Sequence, residues 1–531
     1  MVLHRRWLAP AVALVLVTVA GCSSGESDSV PADGRTDPTT ETTEAPVDNF
    51  VGNSPTEIAP PPAEGKGVTL PQPAAGLPDG YVQEEYFIGG SATSFEAETT
   101  PTDGAWSASP VDEAEYRTRV VVRRPADAAA FSGTVVVEWF NVSAIEASPD
   151  WGYLSEEIGR EGHAYVGVSA QAQGVEGGET LFDVDVDAEQ AAAEDVETDT
   201  SGLKNTDPER YGTLVHPGDA YAFDIFTQVG RAVVGAPEMF LGDLEPEQVI
   251  AAGESQSAIF LSTVVNAVHP LDPVFDAFLI HSRGAFIAPL DGKNTGTRER
   301  LESQNAPTEG IRIRTDLDVP VMIVETETDL TLLAYKFARQ DDTELIRTWE
   351  VAGTSHADAQ TLRAVIGGPR DPAIGSLLGC SSINTGPHKE ALAAAFHHLV
   401  GWTAGGDAPP TTERLEMVDG DELVVARDER GNALGGVRNP LVDVPVSTLT
   451  GEPPTSSSPD EPGSGGADLC LLFGSTTPFE PATLVELYGS ADGYVEQFRA
   501  SAAEAVAAGT LLQPDADELI SDAEGWRSRF P

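Results

Sequence analysis

Positive charge is scarce in this chain of 531 residues. Lysine and arginine together number 31, against 85 aspartates and glutamates, so the formal net charge is -54. A surface of that sign repels nucleic acid and anionic lipid headgroups, and it favours solubility. We therefore expect no nucleic-acid partner, and the charge by itself identifies no other partner.

Cysteine is scarcer still, and ligand-rich motifs are missing. The chain has three cysteines, at Cys22, Cys380 and Cys470. The sequence contains no close cluster of His, Cys and Asp with the spacing of zinc ligands, and no glycine-rich phosphate loop. We therefore expect neither a metal nor an organic cofactor.

The N-terminus has an apolar run that is too short to span a bilayer comfortably. LAPAVALVLVTVA follows Arg5 and Arg6, and small residues lead to Cys22. This order is typical of a secretory signal, here residues 1–21, and not of a transmembrane helix. The ending VAGC resembles a bacterial lipobox, which implies lipid on Cys22 and anchoring at the outer face of a bacterial cell membrane. An ordinary signal peptide with a chance cysteine is the alternative.

The other two cysteines predict a disulfide. If Cys22 carries lipid, Cys380 and Cys470 remain as a pair in an oxidising compartment. Two unpaired buried thiols are the alternative. Residues 22–68 are rich in Ser, Thr, Pro, Asp and Glu and poor in apolar side chains, so we predict a lipid-anchored, disordered tether there.

Short apolar runs alternate with helical patterns over residues 69–404. This alternation predicts an α/β fold with a mostly parallel sheet covered on both faces. Two polar segments, 175–215 and 284–318, interrupt it as lid-like insertions, and residues 405–531 are expected to pack on the core as a C-terminal extension. The predicted strands are GTVVVEWF, HAYVGVSAQ, EQVIAAGES, VFDAFLIHS, VPVMIVET and LIRTWEVAG, and the predicted helices are DAYAFDIFTQVGRAVVG, QSAIFLSTVVNAV, LTLLAYKFARQ and KEALAAAFHHLVGW.

Ser255 lies where a predicted strand gives way to a helix. A serine on such a tight turn is presented clear of the sheet, and crowding there demands small residues two positions before and after it. Gly253 and Ser257 occupy those positions, so the pattern is G-x-S-x-S where a second glycine is usual. The helix that follows makes the backbone N–H of Gln256 an oxyanion donor.

An acid and a base follow in the chain. The strand VPVMIVE continues into TETDL, where Asp329 is the favoured acid, Glu327 the second and Glu325 the third. Exposed turn acids are the alternative in so acidic a chain. His356 follows the strand LIRTWEVAG in a loop, whereas His388, His397 and His398 begin or lie within a helical run. A loop histidine can reach a serine, so we favour His356 as the base.

Other residues complete the expected site. The turn FNVS after the strand at 134–139 offers the backbone N–H of Asn141 or Val142 as a second oxyanion donor. Substrate-contacting residues are less well defined, because each has an ordinary role in packing or ion pairing as its alternative. They are Trp139, Trp151, Tyr153, Tyr211, His216, His281 and Arg283.

The order Ser255, Asp329, His356, each after a parallel strand, is the order expected of α/β-hydrolases. The chain resembles that superfamily and is similar to the bacterial group called α/β-hydrolase domain proteins, over roughly residues 70–531. The resemblance implies a doubly wound sheet of α/β-hydrolase type and this triad, and it supplies no substrate. It is carried by VVVEWFNVS, PDWGYLSEEIGREGHAYVGVSAQ, PERYGTLVHPGDAYAFDIF, AAGESQSAIFL, FLIHSRG, WEVAGTSHAD and GNALGGVRNPLVDVPVSTLTG.

The expected function is hydrolysis of a small-molecule carboxylic ester through an acyl-enzyme. An amidase or peptidase with the same triad is the nearest alternative. A non-catalytic surface-binding lipoprotein on a hydrolase scaffold is the alternative from another class. Membrane contact is expected through the N-terminal lipid only.

Overall fold

The structure, a computed structural model, describes residues 52–67, 76–178, 202–293, 309–368, 370–418, 423–453 and 469–531. The signal peptide, Cys22 and most of the tether lie outside these ranges, as do the middle parts of both predicted insertions. The described residues belong to one compact unit, Phe50–Pro531.

A mostly parallel sheet forms the centre of this unit. Among the described residues, nine strands pair in the order β1-β2-β3-β5-β4-β6-β7-β8-β9. Strands β4 to β9 are parallel to one another, whereas β1, β2 and β3 add an antiparallel edge. The bounds are β1 Glu57–Ala59, β2 Tyr81–Ala97, β3 Ala108–Pro125, β4 Thr134–Trp139, β5 Ala164–Val168, β6 Gln248–Glu254, β7 Ala277–His281, β8 Val321–Thr326 and β9 Ile346–Val351.

Helices of eight or more residues cover the sheet and build the C-terminal part. They are α1 Pro149–Glu161, α2 Ala222–Gly235, α3 Gln256–Thr263, α4 Ala359–Ile366, α5 His388–Thr403, α6 Pro481–Tyr488, α7 Ala491–Ala508 and α8 Gln513–Gly525. Shorter helical segments are Ala128–Ala130, Ala172–Glu176, Leu203–Thr206, Pro208–Tyr211, Asp219–Tyr221, Pro237–Met239, Val264–Val268, Glu327–Thr331, Tyr335–Ala338, Pro372–Leu378, Pro440–Asp443, Cys470–Leu472 and Trp526–Arg529.

The strand residues alternate between two cores, because successive side chains of a strand point to opposite faces. Val135 and Val137 of β4 pack in one core with residues of α2 and α3. Val136 between them packs in the other core with residues of α1 and α5. This two-faced burial confirms the predicted doubly wound α/β fold and explains why its strands read as continuous apolar runs.

The antiparallel edge was not predicted. β2 and β3 pair along a ribbon from Tyr81↔Pro125 to Ala97↔Ala108. The outer half of β3 is mostly polar and exposed, so it lacks the apolar run that marks the central strands, although Ala92–Phe95 of β2 opposite it is buried. Residues 52–67 also depart from the prediction of a tether through residue 68, because Glu57 of β1 pairs with Gly89 and the backbone of Lys66 hydrogen-bonds to Asp207.

The predicted helix LTLLAYKFARQ is wrong in form. The structure has a short helix, Glu327–Thr331, and a separate single turn, Tyr335–Ala338. Ala334 between them adopts a left-handed conformation with φ 59°, which interrupts helical hydrogen bonding.

The C-terminal part packs on the core beside the loop after β9. Strands β10 Ser447–Thr450 and β11 Ser475–Pro478 form an antiparallel pair, and α6, α7 and α8 pack with apolar residues of the segment 441–449 in a separate cluster. Within the described ranges, no helix combines the length and apolar character needed to cross a membrane.

Candidate active site

Ser255 is presented by a strained turn between β6 and α3. Its φ of 58° and ψ of -120° lie in a region that non-glycine residues seldom adopt. A Cβ added to Gly253 would lie 3.0 Å from the backbone of Ser257, so the turn has no room for a larger residue two positions before the serine. The backbone N–H of Ser255 donates to the carbonyl of His281 at 2.9 Å, which ties the turn to β7.

The loop after β9 brings His356 to Ser255. Nε2 of His356 lies 2.8 Å from Ser255 Oγ, and Nδ1 lies 2.6 Å from Asp329 Oδ1. His356 and Asp329 are both buried. The structure therefore brings the three predicted residues into one hydrogen-bonded chain, in which the ring nitrogens of His356 link a hydroxyl to a carboxylate.

Asp329 is held in place by the start of its own short helix. Its Oδ2 accepts hydrogen bonds from the backbone N–H of Thr326 at 2.6 Å and from the Thr326 hydroxyl at 2.7 Å, in a capping box. Burial by itself would raise the pKa of Asp329, but the charge of His356 and these hydrogen bonds outweigh it and hold the pKa below its ordinary value. One carboxylate oxygen thus fixes the helix, while the other faces the histidine.

The same charge pair acts on His356. Burial by itself would lower the pKa of His356, but Asp329 and, to a smaller extent, Glu254 raise it above the ordinary histidine value. The pair therefore favours the charged imidazolium, which is the form a base takes after it accepts a proton.

Glu327, the second choice of acid, has a different partner set. Its carboxylate accepts the backbone N–H groups of Gly353 at 2.6 Å and Gly451 at 3.1 Å, and it pairs with Arg427 at 2.9 Å. Glu327 therefore clamps the C-terminal part to the turn after β9 and is not bonded to His356. Glu325, the third choice, is buried on β8.

The two expected oxyanion donors after β4 are both engaged. The backbone N–H of Asn141 donates to the carbonyl of Ala147 at 2.9 Å, so Asn141 does not offer it to a substrate. The backbone N–H of Val142 donates to Gln256 Oε1 at 3.2 Å, a side-chain acceptor that a substrate oxygen can replace. The backbone N–H of Gln256 itself lies in the first turn of α3 and has no acceptor within the helix. Of the expected donors, the backbone N–H groups of Val142 and Gln256 are therefore the two that the geometry leaves for a bound oxygen.

Glu254 is a site residue that sequence reasoning missed. Its Oε1 lies 3.6 Å from His356 Nε2, and its Oε2 accepts from Asn141 Nδ2 at 3.1 Å. Burial raises the pKa of Glu254 to about 8, although the charge of His356 acts in the opposite direction. The available signal was its place directly before the serine, at the last residue of a buried strand.

A pocket of about 150 Å³ opens at Ser255. Small and apolar side chains make up most of its lining, and its chemistry is concentrated in the residues already described. The lining residues are Asn141, Ser143, Ala144, Ile145, Ala147, Pro149, Tyr153, Glu254, Ser255, His356, Ala357, Thr361, Leu469, Leu472 and Phe473.

Two predicted substrate contacts lie in other parts of the core. Trp139 packs against Phe226 with ring centroids 4.9 Å apart. Its strand position directs the side chain to the face opposite α1. The Tyr211 hydroxyl donates to Glu85 at 2.7 Å, in the small cluster beside the antiparallel edge. Neither residue lines the pocket at Ser255.

His281 and Arg283 also lie behind the site and not in its pocket. His281 Nδ1 is 2.8 Å from Asp150 Oδ1, and its Nε2 is 2.7 Å from His388 Nε2. Arg283 is fully buried, and its guanidinium lies 5.0 Å from the Tyr335 ring centroid and bonds to a backbone carbonyl. The sequence placed both at a strand end correctly, but only side-chain direction decides which ones face a substrate.

Cys380 and Cys470 form a disulfide in the structure, across 90 residues of sequence. Both cysteines are buried in a cluster with Leu472 and Phe473, two residues of the pocket lining. The predicted disulfide therefore lies beside the pocket, a position that could not be read from the sequence.

Comparison with known proteins places the chain in a family. The model of the alpha/beta hydrolase domain matches residues 58–521. No curated protein matches the chain. Solved structures similar to it include fungal esterases from Rhizomucor miehei, at 10% identity over 54% of this chain and 78% of that chain with a TM-score of 0.26. Another is a thermostable esterase from Pseudomonas putida ECU1011, at 10% identity over 49% of this chain and 67% of that chain with a TM-score of 0.24. The extent of the family match shows that this chain belongs to the alpha/beta hydrolase domain family.

Proposed function

We propose that this hydrolase cleaves small-molecule carboxylic esters with Ser255 as the nucleophile. The observation that carries the proposal is the chain of hydrogen bonds from Ser255 Oγ through His356 to Asp329, at 2.8 Å and 2.6 Å. Both distances are those of direct hydrogen bonds, so proton transfer needs no rearrangement of the three side chains.

The reaction proceeds in two halves. His356 Nε2 takes the proton of Ser255 as Oγ attacks the ester carbonyl, and Asp329 stabilises the imidazolium that results. His356 then returns the proton to the departing alcohol, which leaves an acyl group on Ser255. Water, deprotonated by the same histidine, attacks the acyl carbon, and His356 then returns this proton to Ser255 Oγ as the acid is released.

The oxyanion of each tetrahedral intermediate is bound by two backbone N–H groups. Gln256 supplies one from the start of α3, and Val142 supplies the other after the Gln256 carboxamide moves aside. Loss of one such donor lowers the rate by about 10²–10³.

Labelling by a fluorophosphonate tests the nucleophile. Wild-type protein is expected to react and to hydrolyse p-nitrophenyl esters, whereas Ser255→Ala is expected to do neither. Ser262→Ala is the matched control, since Ser262 lies two turns further along α3 and bonds only to a helix carbonyl. Wild-type protein that never labels overturns the proposal in favour of a binding protein, and turnover confined to anilides overturns it in favour of an amidase.

We also propose that the protein is exported and anchored by lipid on Cys22. The proposal rests on the charged flank, the short apolar run and the ending VAGC of the sequence. Expression in a bacterium with a labelled fatty acid is expected to label the wild type and not Cys22→Ser. Equal labelling of the two, or none in either, contradicts it.

A further inference from the structure

One wall of the pocket at Ser255 comes from far along the chain. Residues 469–473, here called the wall segment, contribute Leu469, Leu472 and Phe473 to the lining. Leu472 and Phe473 are buried, whereas Leu471 of the same segment is 40% exposed and does not line the pocket. The segment therefore directs three of its side chains, and not that of Leu471, towards the pocket.

The wall segment is fastened to the loop that carries His356. The backbone N–H of Ala357 donates to the carbonyl of Leu472 at 3.0 Å, and that of Asn384 donates to the carbonyl of Phe473 at 2.9 Å. The disulfide from Cys470 to Cys380 adds a covalent tie. These bonds hold the wall at a fixed distance from the catalytic histidine.

Directly after Phe473, the backbone at Gly474 packs very closely against neighbouring residues. Gly474 has φ +50°, and a Cβ added there would lie 2.7 Å from the Cβ of Ser355 and 2.3 Å from the carbonyl oxygen of Thr450. Packing this close leaves no space behind the backbone at Gly474, so the wall side chains limit the pocket on this side.

The pocket has the size and polarity of a short acyl group. A cavity of about 150 Å³ lined by apolar side chains holds a six-carbon ring, and the pocket at Ser255 has a volume of about 150 Å³. Besides the Tyr153 hydroxyl, the ionisable groups in its lining are Glu254 and His356, and no lysine or arginine is among the lining residues. An acyl group with a carboxylate would therefore meet a second carboxyl group and no permanently charged side chain to pair with it. The acyl group stays bound to Ser255 while the alcohol leaves, so it is the part that must remain accommodated beside Ser255 until water releases it.

We propose that Leu472 and Phe473 are specificity-determining residues that restrict the enzyme to esters of uncharged acyl groups of up to about six carbons. The proposal rests on the ester-hydrolase function proposed above. It assigns a substrate class to the site and a role to the disulfide-tied wall segment.

Rates on p-nitrophenyl esters that differ only in acyl length test it. For the wild type, kcat/KM is expected to be high for acetate and butyrate and to fall at least tenfold for octanoate. Phe473→Ala and Leu472→Ala are expected to raise the octanoate-to-butyrate ratio about tenfold or more, since one methylene in an apolar pocket changes kcat/KM about 10–200-fold. Leu471→Ala, the matched control, is expected to keep the wild-type ratio. Phe473→Leu is a milder truncation that serves if the alanine variant does not fold.

The outcomes separate this proposal from the one on which it rests. Ester hydrolysis with the same ratio in the Leu472, Phe473 and Leu471 variants overturns the wall assignment and leaves the hydrolase function standing. If the Leu472 and Phe473 variants change relative rates only among acetate esters of graded alcohol length, and not among esters of graded acyl length, the acyl assignment is overturned. Wild-type protein that hydrolyses no ester and does not react with a fluorophosphonate overturns both.

Discussion

Glu254 Oε1 lies 3.6 Å from His356 Nε2, the nitrogen that is also 2.8 Å from Ser255 Oγ. A second carboxyl group therefore faces the nitrogen that accepts the serine proton in the proposed mechanism. Asp329 orients the histidine from one side, and Glu254 acts on its charge from the other.

The first prediction concerns the pH dependence of the reaction. The carboxyl group of Glu254 contributes to the raised pKa of His356, and His356 must be neutral to act as a base. Glu254→Gln removes that contribution, so the acidic limb of kcat/KM against pH is expected to move to lower pH. Rates on p-nitrophenyl acetate across the pH range measure it. Asp329 and Asp150 also act on Glu254 and remain in the variant. A limb that stays in place or moves to higher pH contradicts the prediction.

The second prediction separates orientation from binding. Asp329→Asn keeps the size of the side chain but removes the charge that holds the tautomer of His356, so kcat is expected to fall by about 10⁴. KM is expected to change little, because Asp329 is fully buried and does not line the pocket. Steady-state kinetics on a short-chain ester provide the test. A loss of less than tenfold in kcat shows that another group orients the histidine.

The third prediction concerns Glu327, whose carboxylate clamps Gly353, Gly451 and Arg427. Glu327→Gln weakens charged hydrogen bonds in a buried site, so the free energy of unfolding is expected to fall by about 1.5–3 kcal/mol. Denaturant unfolding measures this change.

Glu452→Gln is the control for that clamp. Glu452 is the other carboxylate that bonds Arg427, and its side chain is 56% exposed, so a smaller change is expected. Equal stability losses in the two variants, or a loss of activity in Glu327→Gln as large as in Asp329→Asn, contradict the assignment of Glu327 to structure and Asp329 to chemistry.

The fourth prediction concerns the dependence of stability on pH. Burial raises the pKa of Asp150 to about 8, so its carboxyl group keeps a proton in the folded state that the unfolded chain has lost. A group of this kind stabilises the fold below its unfolded pKa of about 4, and the contribution is lost as pH rises towards the folded value. Asp150→Asn is expected to make the decline of the free energy of unfolding over this range shallower, by at most about 1.4 kcal/mol per pH unit.

A control for Asp150→Asn is needed, because the whole chain is acidic and becomes more negatively charged as pH rises. Glu429→Gln removes one charge from a side chain that is 82% exposed. It is expected to keep the wild-type slope. If the free energy of unfolding declines with pH at the same slope in the Asp150 and Glu429 variants, Asp150 does not keep a proton in the folded state.

Much of the fold and the core of the candidate site could be predicted from local pattern. The apolar runs fixed the central strands, because a strand buried on both faces has few polar positions. The turn at Ser255 could be predicted from Gly253 and Ser257, because a crowded backbone requires small residues on both sides of it. The outer half of β3 is polar and carries no such signal, and the pairing of β2 with β3 depends on contacts between the strands.

The choice among acids, oxyanion donors and pocket residues belonged to the tertiary structure. Asp329 and Glu327 are two positions apart in sequence, yet one bonds His356 and the other bonds Gly353 and Gly451. Trp139 and Tyr211 were candidates for the pocket because of their residue type and position. Only the nearby Cys470 pointed to the region of Leu472 and Phe473.

The sequence by itself therefore determined the order of elements and the residue that is raised at the end of β6, because backbone periodicity and steric crowding act over a few positions. The tertiary structure decided which groups meet that residue, since the direction of a side chain and its distance from a partner depend on strand register, on helix caps and on a C-terminal segment tied across 90 residues of sequence.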